Sequence, residues 1–263
     1  MKPIIACCQI LPSSSVSDSL SQAKSMVTEA ALNGANIIIL PEMFISPYIL
    51  RNIPSLSESQ NGPIYNELSA LSKKQKIYLF AGSVPEKDGK NFFNTCYVFD
   101  PNGDCIGKYR KIHLFDVNLK HLHIQESAII SPGEQLSLVS TPYGLIGIAI
   151  CFDLRFPEMF QTMAKAGAKA IVVPAAFSHT TGAMHWELLL QARAIDSQSY
   201  IFACSPALDT QSKYKVWGRS SIVDPNGQII STIDEKQGII YAPFSSTLVD
   251  KTRSEIPIFT SCL

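Results

Sequence analysis

The chain lacks a charge surplus of either sign: Lys plus Arg and Asp plus Glu number 22 each, so the formal net charge is zero. Without a long-range field, neither nucleic acid nor an anionic membrane surface is favoured as a partner, and a charged ligand has to be met by local groups. A disulfide pattern is missing too. The seven cysteines are an odd number without CxxC spacing, and Cys7 and Cys8 are neighbours that a strand points to opposite faces. Such usage suits a reducing cytosol. The opening MKPIIACCQI has an apolar run that stops at Gln9, too short for a signal core with its cleavage site or for a membrane span. The expectation is a soluble, cytoplasmic protein with no nucleic-acid and no membrane partner. Core-forming material is plentiful: 263 residues, 46% hydrophobic and 17% charged, can bury a large core, expected as one domain over residues 1–263.

The sequence repeats itself. GANIIILPEMF at 34–44 matches GAKAIVVPAAF at 167–177, and IYLFAGS ending at Ser83 matches SYIFACS ending at Ser205. Each is followed by the turn Asp-Pro-Asn-Gly, at 100–103 and 224–227, and IIACC ending at Cys8 is set against IAIC ending at Cys151. Four pairs in the same order point to one unit used twice. Each half reads as strand, amphipathic helix, buried strand, second helix, buried strand and hairpin, the last signalled by Asn-Gly. Helices are expected near 18–33, 62–74, 157–166 and 184–198. The wholly apolar strands IIIL and AIVVP need cover on both faces. The expected fold is therefore α/β: a four-layer αββα sandwich with an internal pseudo-two-fold duplication.

A duplicated scaffold needs only one active site, so positions that match in frame but differ in chemistry are informative. Glu42 follows Pro41 at the end of a buried strand, where the other half has Ala175 after Pro174. Lys111 lies 11 residues after Asp100, and the same step from Asp224 reaches Glu235. Cys151 ends GLIGIAI and precedes FDLRFPE, a turn into a helix with Pro157 in its first turn. There a helix dipole and a nearby cation are expected to lower the thiol pKa from about 8.5 and make it a nucleophile. Cys7, Cys8, Cys96, Cys105, Cys204 and Cys262 read instead as small buried hydrophobes. The residues alone leave Lys111 equally readable as charge on an edge strand.

LPEMF around Glu42, YRKIHLF around Lys111 and CFDLRFPE around Cys151 resemble the three signature segments of the nitrilase superfamily of carbon-nitrogen hydrolases. The resemblance covers nearly the whole chain. It implies the αββα sandwich, a homodimer, a Glu42–Lys111–Cys151 triad and a second glutamate at Glu126 in IQES. LPEMFISPY, KIHLFD, TTGAMHWELL, CSPALD and YKVWG resemble the omega-amidase branch, which acts on 2-oxo acid amides such as 2-oxoglutaramate and 2-oxosuccinamate.

On that reading Cys151 attacks the amide carbonyl and Glu42 relays the proton, while Lys111 and the Phe152 N–H stabilise the oxyanion; Glu126 holds Lys111. No metal or organic cofactor is required. His121 and His123 form an HxH pair without further ligands at metal spacing and read as solvated loop histidines. His179 and His185 flank TTGAM in a loop and suit either a pocket mouth or capping and packing. Arg155 suits a bidentate grip on a substrate carboxylate or an ion pair with Glu158. Phe44, Tyr48, Phe152 and Phe177 suit apolar pocket walls or core. Three alternatives stand beside the omega-amidase reading. They are an amidase of another carbon-nitrogen substrate, such as deaminated glutathione or an N-carbamoyl compound, a catalytically silent binding protein, and a thiol redox sensor, which needs a resolving cysteine near Cys151.

Overall fold

Apolar alternation sorts the strands of the first half into two environments. Ile5, Cys7, Ile37, Ile39 and Phe80 share one buried cluster with Ile148, Val172 and Phe202 of the second half. Their chain neighbours Ala6, Cys8, Ile38, Leu40 and Leu79 pack against helical residues Leu20, Ala23, Val27, Ile64 and Leu68. Side chains one residue apart on a strand face opposite ways, so one face meets a sheet and the other meets helices. Each large side chain so buried contributes about 1.5–3 kcal/mol relative to exposure.

The computed structural model describes residues 2–119 and 122–259. The first half runs β1 (Ile4–Gln9), α1 (Val16–Leu32), β2 (Ala35–Ile39), a short α2 (Ile53–Leu56), α3 (Pro63–Gln75), β3 (Tyr78–Asp88), β4 (Asn91–Phe99) and β5 (Cys105–Arg110). A two-stranded hairpin, β6 (Asp116–Leu119) and β7 (Leu122–Gln125), lies between the halves. The second half runs β8 (Ser137–Thr141), β9 (Gly144–Ile148), α4 (Pro157–Lys165), β10 (Ala168–Pro174), α5 (His179–Ser197), β11 (Tyr200–Cys204), β12 (Ser221–Val223) and β13 (Ile229–Thr232). β14 (Gly238–Pro243) and α6 (Ser246–Glu255) follow.

The two six-stranded sheets have the same order, β14-β1-β2-β3-β4-β5 and β8-β9-β10-β11-β12-β13. In each, three central strands are parallel and the flanking ones antiparallel. The expected αββα sandwich and its duplication are thus present. β14 stands to β1 as β8 stands to β9, although it comes from the far end of the chain. The hairpin turns repeat atom for atom. Asp100 Oδ1 accepts from the N–H groups of Asn102 and Asp104 at 2.8 and 2.9 Å, and Asp224 Oδ1 from those of Asn226 and Gln228 at 2.9 and 3.0 Å.

Two sequence expectations need correction. The strand ladders pair Cys7 with Ile39 and Ile148 with Val172, while Ile39 pairs with Phe80 and Val172 with Phe202. Cys7 therefore matches Ile148, and the counterpart of Cys151 is Ile10, not Cys8. Two apolar runs ending in cysteine look alike but are offset by two residues. Helix α5 begins at His179 rather than near Met184. Ser178 caps it by accepting from the Thr181 N–H, and Gly182 is there because a Cβ would stand 2.4 Å from that of Trp217. A glycine that reads as a loop signal is a point of close packing.

Candidate active site

Glu42 is carried on the turn after β2, which β3 braces from the side. A bulge in β3 at Gly82 and Ser83 lets the Ser83 N–H donate to the Pro41 carbonyl at 3.2 Å and its hydroxyl accept from the Met43 N–H at 3.0 Å. Gly82 has φ +42, and a Cβ there would lie 2.1 Å from the Pro41 oxygen, so no other residue allows the approach. Lys111 leaves the edge strand β5 and turns inward: its N–H donates to the Asn94 carbonyl at 2.9 Å, and its side chain is fully buried. The position does follow a charged edge strand, yet its ammonium lies inside the protein. Glu126 sits on a 3-10 turn directly after β7 and is fully buried.

These groups meet. The Lys111 ammonium donates to Glu42 Oε1 at 3.0 Å and to both oxygens of Glu126 at 2.9 and 3.1 Å. Glu42 Oε1 also accepts from Asn94 Nδ2 at 2.8 Å, and its Oε2 from the Ala176 N–H at 2.8 Å. Glu126 accepts from the Phe115 N–H at 2.6 Å and from the Tyr48 hydroxyl. Burial drives the Lys111 pKa down, but the charges of Glu126 and Glu42 outweigh it and hold the ammonium well above its ordinary value. Glu42 moves up, because burial and the Glu126 charge exceed what Lys111 and the hydrogen bonds recover.

Cys151 lies where β9 gives way to a 3-10 turn, buried and in contact with Glu42. Its φ of +50 is the left-handed region, costing a non-glycine residue about 1–2 kcal/mol. Burial, reinforced by the Glu42 charge, pushes the thiol well above its usual range, against the pull of Lys111. This corrects the expectation of a lowered pKa. The thiol waits in its neutral form, and a carboxylate with a raised pKa beside it is matched to take its proton.

Asp153 and Asn94 went unnoticed in the sequence. Asp153 is fully buried and accepts four hydrogen bonds: from the Ile150 N–H at 2.8 Å, the Tyr109 hydroxyl at 2.7 Å, and the His113 N–H and Nδ1 at 2.9 and 2.8 Å. Tyr109 and His113 flank Lys111, so this carboxylate ties the strained Cys151 turn to the loop that carries Lys111. Asn94 binds the Glu42 side chain and the Lys111 backbone at once, leaving its own Oδ1 buried without a partner. A polar residue inside an apolar run, as in CFDLR and NTCYVF, is the signal that would have marked both.

The sequence pattern of the Carbon-nitrogen hydrolase family matches residues 4–254. This chain belongs to that family. The hydrolase is 43% identical to mouse Omega-amidase NIT2 over 255 residues, covering 97% of this chain and 92% of the relative. Human Omega-amidase NIT2 is 41% identical over 256 residues, covering 97% and 93%. Among solved structures, Saccharomyces cerevisiae Nit3, a member of branch 10 of the nitrilase superfamily, superposes with a TM-score of 0.91. It is 36% identical, with 99% of this chain and 96% of that one covered.

The remaining expected site residues divide. Phe152, Arg155 and Phe177 line a cleft with Cys151, and Tyr48 lines a second cleft with Glu42. Phe44 is core packed toward the helices, not a wall of either cleft. Arg155 forms no ion pair with Glu158 or any other acid among the described residues. Its guanidinium lies over Phe152 and Phe177, 5.8 and 5.4 Å from the ring centroids, and 3.4 Å from His185 Nδ1. His179 opens α5 and packs on Trp217. His123 is exposed on β7, while His121 and Cys262 lie outside the described residues. Of the other cysteines, Cys7, Cys8, Cys96 and Cys204 are buried and Cys105 is half-buried. Among the described residues, no group of three His, Cys, Asp or Glu side chains is placed to hold a metal ion.

Proposed function

We propose that this carbon-nitrogen hydrolase is a cysteine-dependent amidase of small 2-oxo acid omega-amides, 2-oxoglutaramate and 2-oxosuccinamate, acting through a thioester on Cys151. The observation that carries the substrate class is the placing of Arg155 in the Cys151 cleft with no acidic partner among the described residues. Burial lowers the Arg155 pKa, and a half-buried guanidinium between aromatic faces gains from an anion brought by the ligand. A carboxylate at one end and an amide at the other satisfy Arg155 and Cys151 together. The relatives named omega-amidase support the same reading.

Glu42 takes the Cys151 proton as sulfur attacks the carbonyl carbon. Lys111 has three N–H donors, one on Glu42 and two on the oxygens of Glu126, so turning one of the latter pair toward the developing oxyanion gives up one contact to Glu126 and sets a donor beside the Phe152 N–H. Glu42 returns the proton to the departing ammonia and then activates the water that cleaves the thioester. Glu126 orients the ammonium and, with Tyr48, fixes the amide. A neutral carbonyl at C2 suits this cleft, which offers no acid to a free amino acid's ammonium.

Ammonia release over 2-oxoglutaramate, 2-oxosuccinamate, glutamine, asparagine, deaminated glutathione, N-carbamoyl compounds and a nitrile tests the reading. We expect 2-oxoglutaramate to exceed glutamine by orders of magnitude in kcat/KM, since an unpartnered buried ammonium costs several kcal/mol, roughly. Equal rates on both would overturn it. Arg155→Lys should raise KM for the anionic amides more than for a short uncharged one.

We further propose a cytoplasmic homodimer. No helix among the described residues is long and apolar enough to cross a membrane, and the six described cysteines are free thiols. Met184, Leu188 and Ile195 stand 60, 70 and 53% exposed along one side of α5, an apolar stripe suited to a second copy.

A further inference from the structure

Arg155 enters the acyl cleft, where it and Cys151 face the two ends of the substrate, with no acid among the described residues to fix its direction. The rings of Phe152 and Phe177 flank the guanidinium at 5.8 and 5.4 Å, but a ring face attracts a cation over a broad range of rotations. Direction comes from one contact. Among the described residues, the only hydrogen-bond partner of the Arg155 side chain is His185 Nδ1, 3.4 Å from Nη2. A guanidinium can only donate, so Nδ1 accepts and the imidazole is neutral, with its proton on Nε2. The helix sets where that imidazole stands. Ser178 caps α5, and the first turn brings Thr181 to the acyl cleft; His185 lies four residues on, so it occupies the same face one turn along. Trp186 packs on Phe177 with ring centroids 5.0 Å apart, and Gly182 lies too close to Trp217 to admit a Cβ, which together fix the rotation of α5. His185 is half-buried and does not line the acyl cleft. It borders a separate cavity of about 410 Å³ shared with Met184, Leu188 and Trp217, so its path to the substrate runs through Arg155.

We infer that His185 is a positioning residue for substrate selection: by taking one Nη2 hydrogen of Arg155, it aims the rest of the fork at the substrate carboxylate. The inference rests on the reading above that Arg155 binds that carboxylate. Nε and Nη1 keep their hydrogens free, so a bidentate contact forms without a search over rotamers once the His185 contact is in place. Without it the guanidinium slides between the ring faces, and each binding event has to order the long side chain anew, a cost that falls on KM. Proton transfer between Cys151 and Glu42 is untouched, since His185 hydrogen-bonds to neither. The effect is confined to substrates that carry an anion, because an uncharged amide makes no use of the fork.

The test is steady-state kinetics on 2-oxoglutaramate and on a short uncharged amide. His185→Ala should raise KM for the anionic amide about five- to tenfold, with kcat, and KM for the uncharged amide, within about twofold of wild type. His185→Asn, whose Oδ1 stands near the place of Nδ1 and accepts the same hydrogen, should bring KM back to within about twofold. In the Arg155→Lys background, His185→Ala should add less than about twofold, because the fork it aims is gone. Equal KM rises on both amides, no recovery in His185→Asn, or a full additional rise on top of Arg155→Lys overturns the inference, and each marks His185 as packing alone. If His185→Ala does not fold, His185→Leu fills the volume without an acceptor and must show the same split. A selective KM rise in Arg155→Lys with none in His185→Ala removes this inference alone. No turnover of an anionic amide, or no selective rise in Arg155→Lys, removes the carboxylate reading with it.

Discussion

The two halves share one scaffold but bring different chemistry to the centre. At the turn after the second central strand, the first half places the Glu42 carboxylate and the second places a bare backbone, whose Ala176 N–H donates to Glu42. At the step beyond the hairpin, Lys111 is fully buried and Glu235 is exposed. At the end of the first strand, Ile10 is core and Cys151 is a strained turn beside Glu42. One half supplies proton and charge chemistry, the other the thiol and a donor. Duplication made matching positions face each other, and divergence let each copy keep what the other lacks.

Substitutions that treat the halves unequally should give the largest effects. Cys151→Ala and Glu42→Gln should each lower kcat/KM at least about a thousandfold with the fold intact. Cys8→Ala, in the helix-facing core, should keep most activity and cost only about 1–2 kcal/mol of stability, read from denaturant melts. Comparable activity losses from Cys8 and Cys151 would mean that the nucleophile is misassigned. Asp153→Asn should lower kcat about 10- to 100-fold with KM nearly unchanged, because it loosens the link between the Cys151 turn and the Lys111 loop without touching the acyl cleft. A fall in melting temperature with normal kcat would reduce Asp153 to a structural role.

A subtler asymmetry lies in pH dependence. Glu42 must be ionised to accept the thiol proton, so kcat/KM should be present above its raised pKa and fall as pH drops through it, with an acid limb above the ordinary carboxylate range. Asn94→Ala removes a donor that favours the ionised form and should move that limb to higher pH. An unmoved limb would assign the titration to another group. The smallest effects should be nearly symmetric: Asp100→Ala and Asp224→Ala remove the same two main-chain hydrogen bonds from matching turns, Asp100→Ala also an exposed one from Asn102 Nδ2, and each should cost about 1–2 kcal/mol.

The layers, the duplication and the family were legible because apolar alternation and the twice-used turn recur at full strength in the sequence. Glu42, Lys111 and Cys151 stood out as breaks in that recurrence, and Glu126 came from the family resemblance. Environment was not legible. Whether the Cys151 thiol is charged depends on burial beside Glu42, which the helix start after it does not report. Asp153 and Asn94 act through partners distant in the chain. Strand register also escaped the sequence, since nothing in IIACC and IAIC fixes which residue stands beside Ile39 or Val172 until the ladder forms.

β1 takes one of its two strand partners from the chain's far end, with Ile4 opposite Pro243. A ribosome making this protein finishes the rest of the first sheet long before β14 emerges. Until then β1 presents an apolar strand with one open edge, the kind of surface that invites pairing with the wrong chain. Completion of the first sheet therefore waits for residues 238–243, and their loss should harm yield through aggregation although none of them lines either cleft.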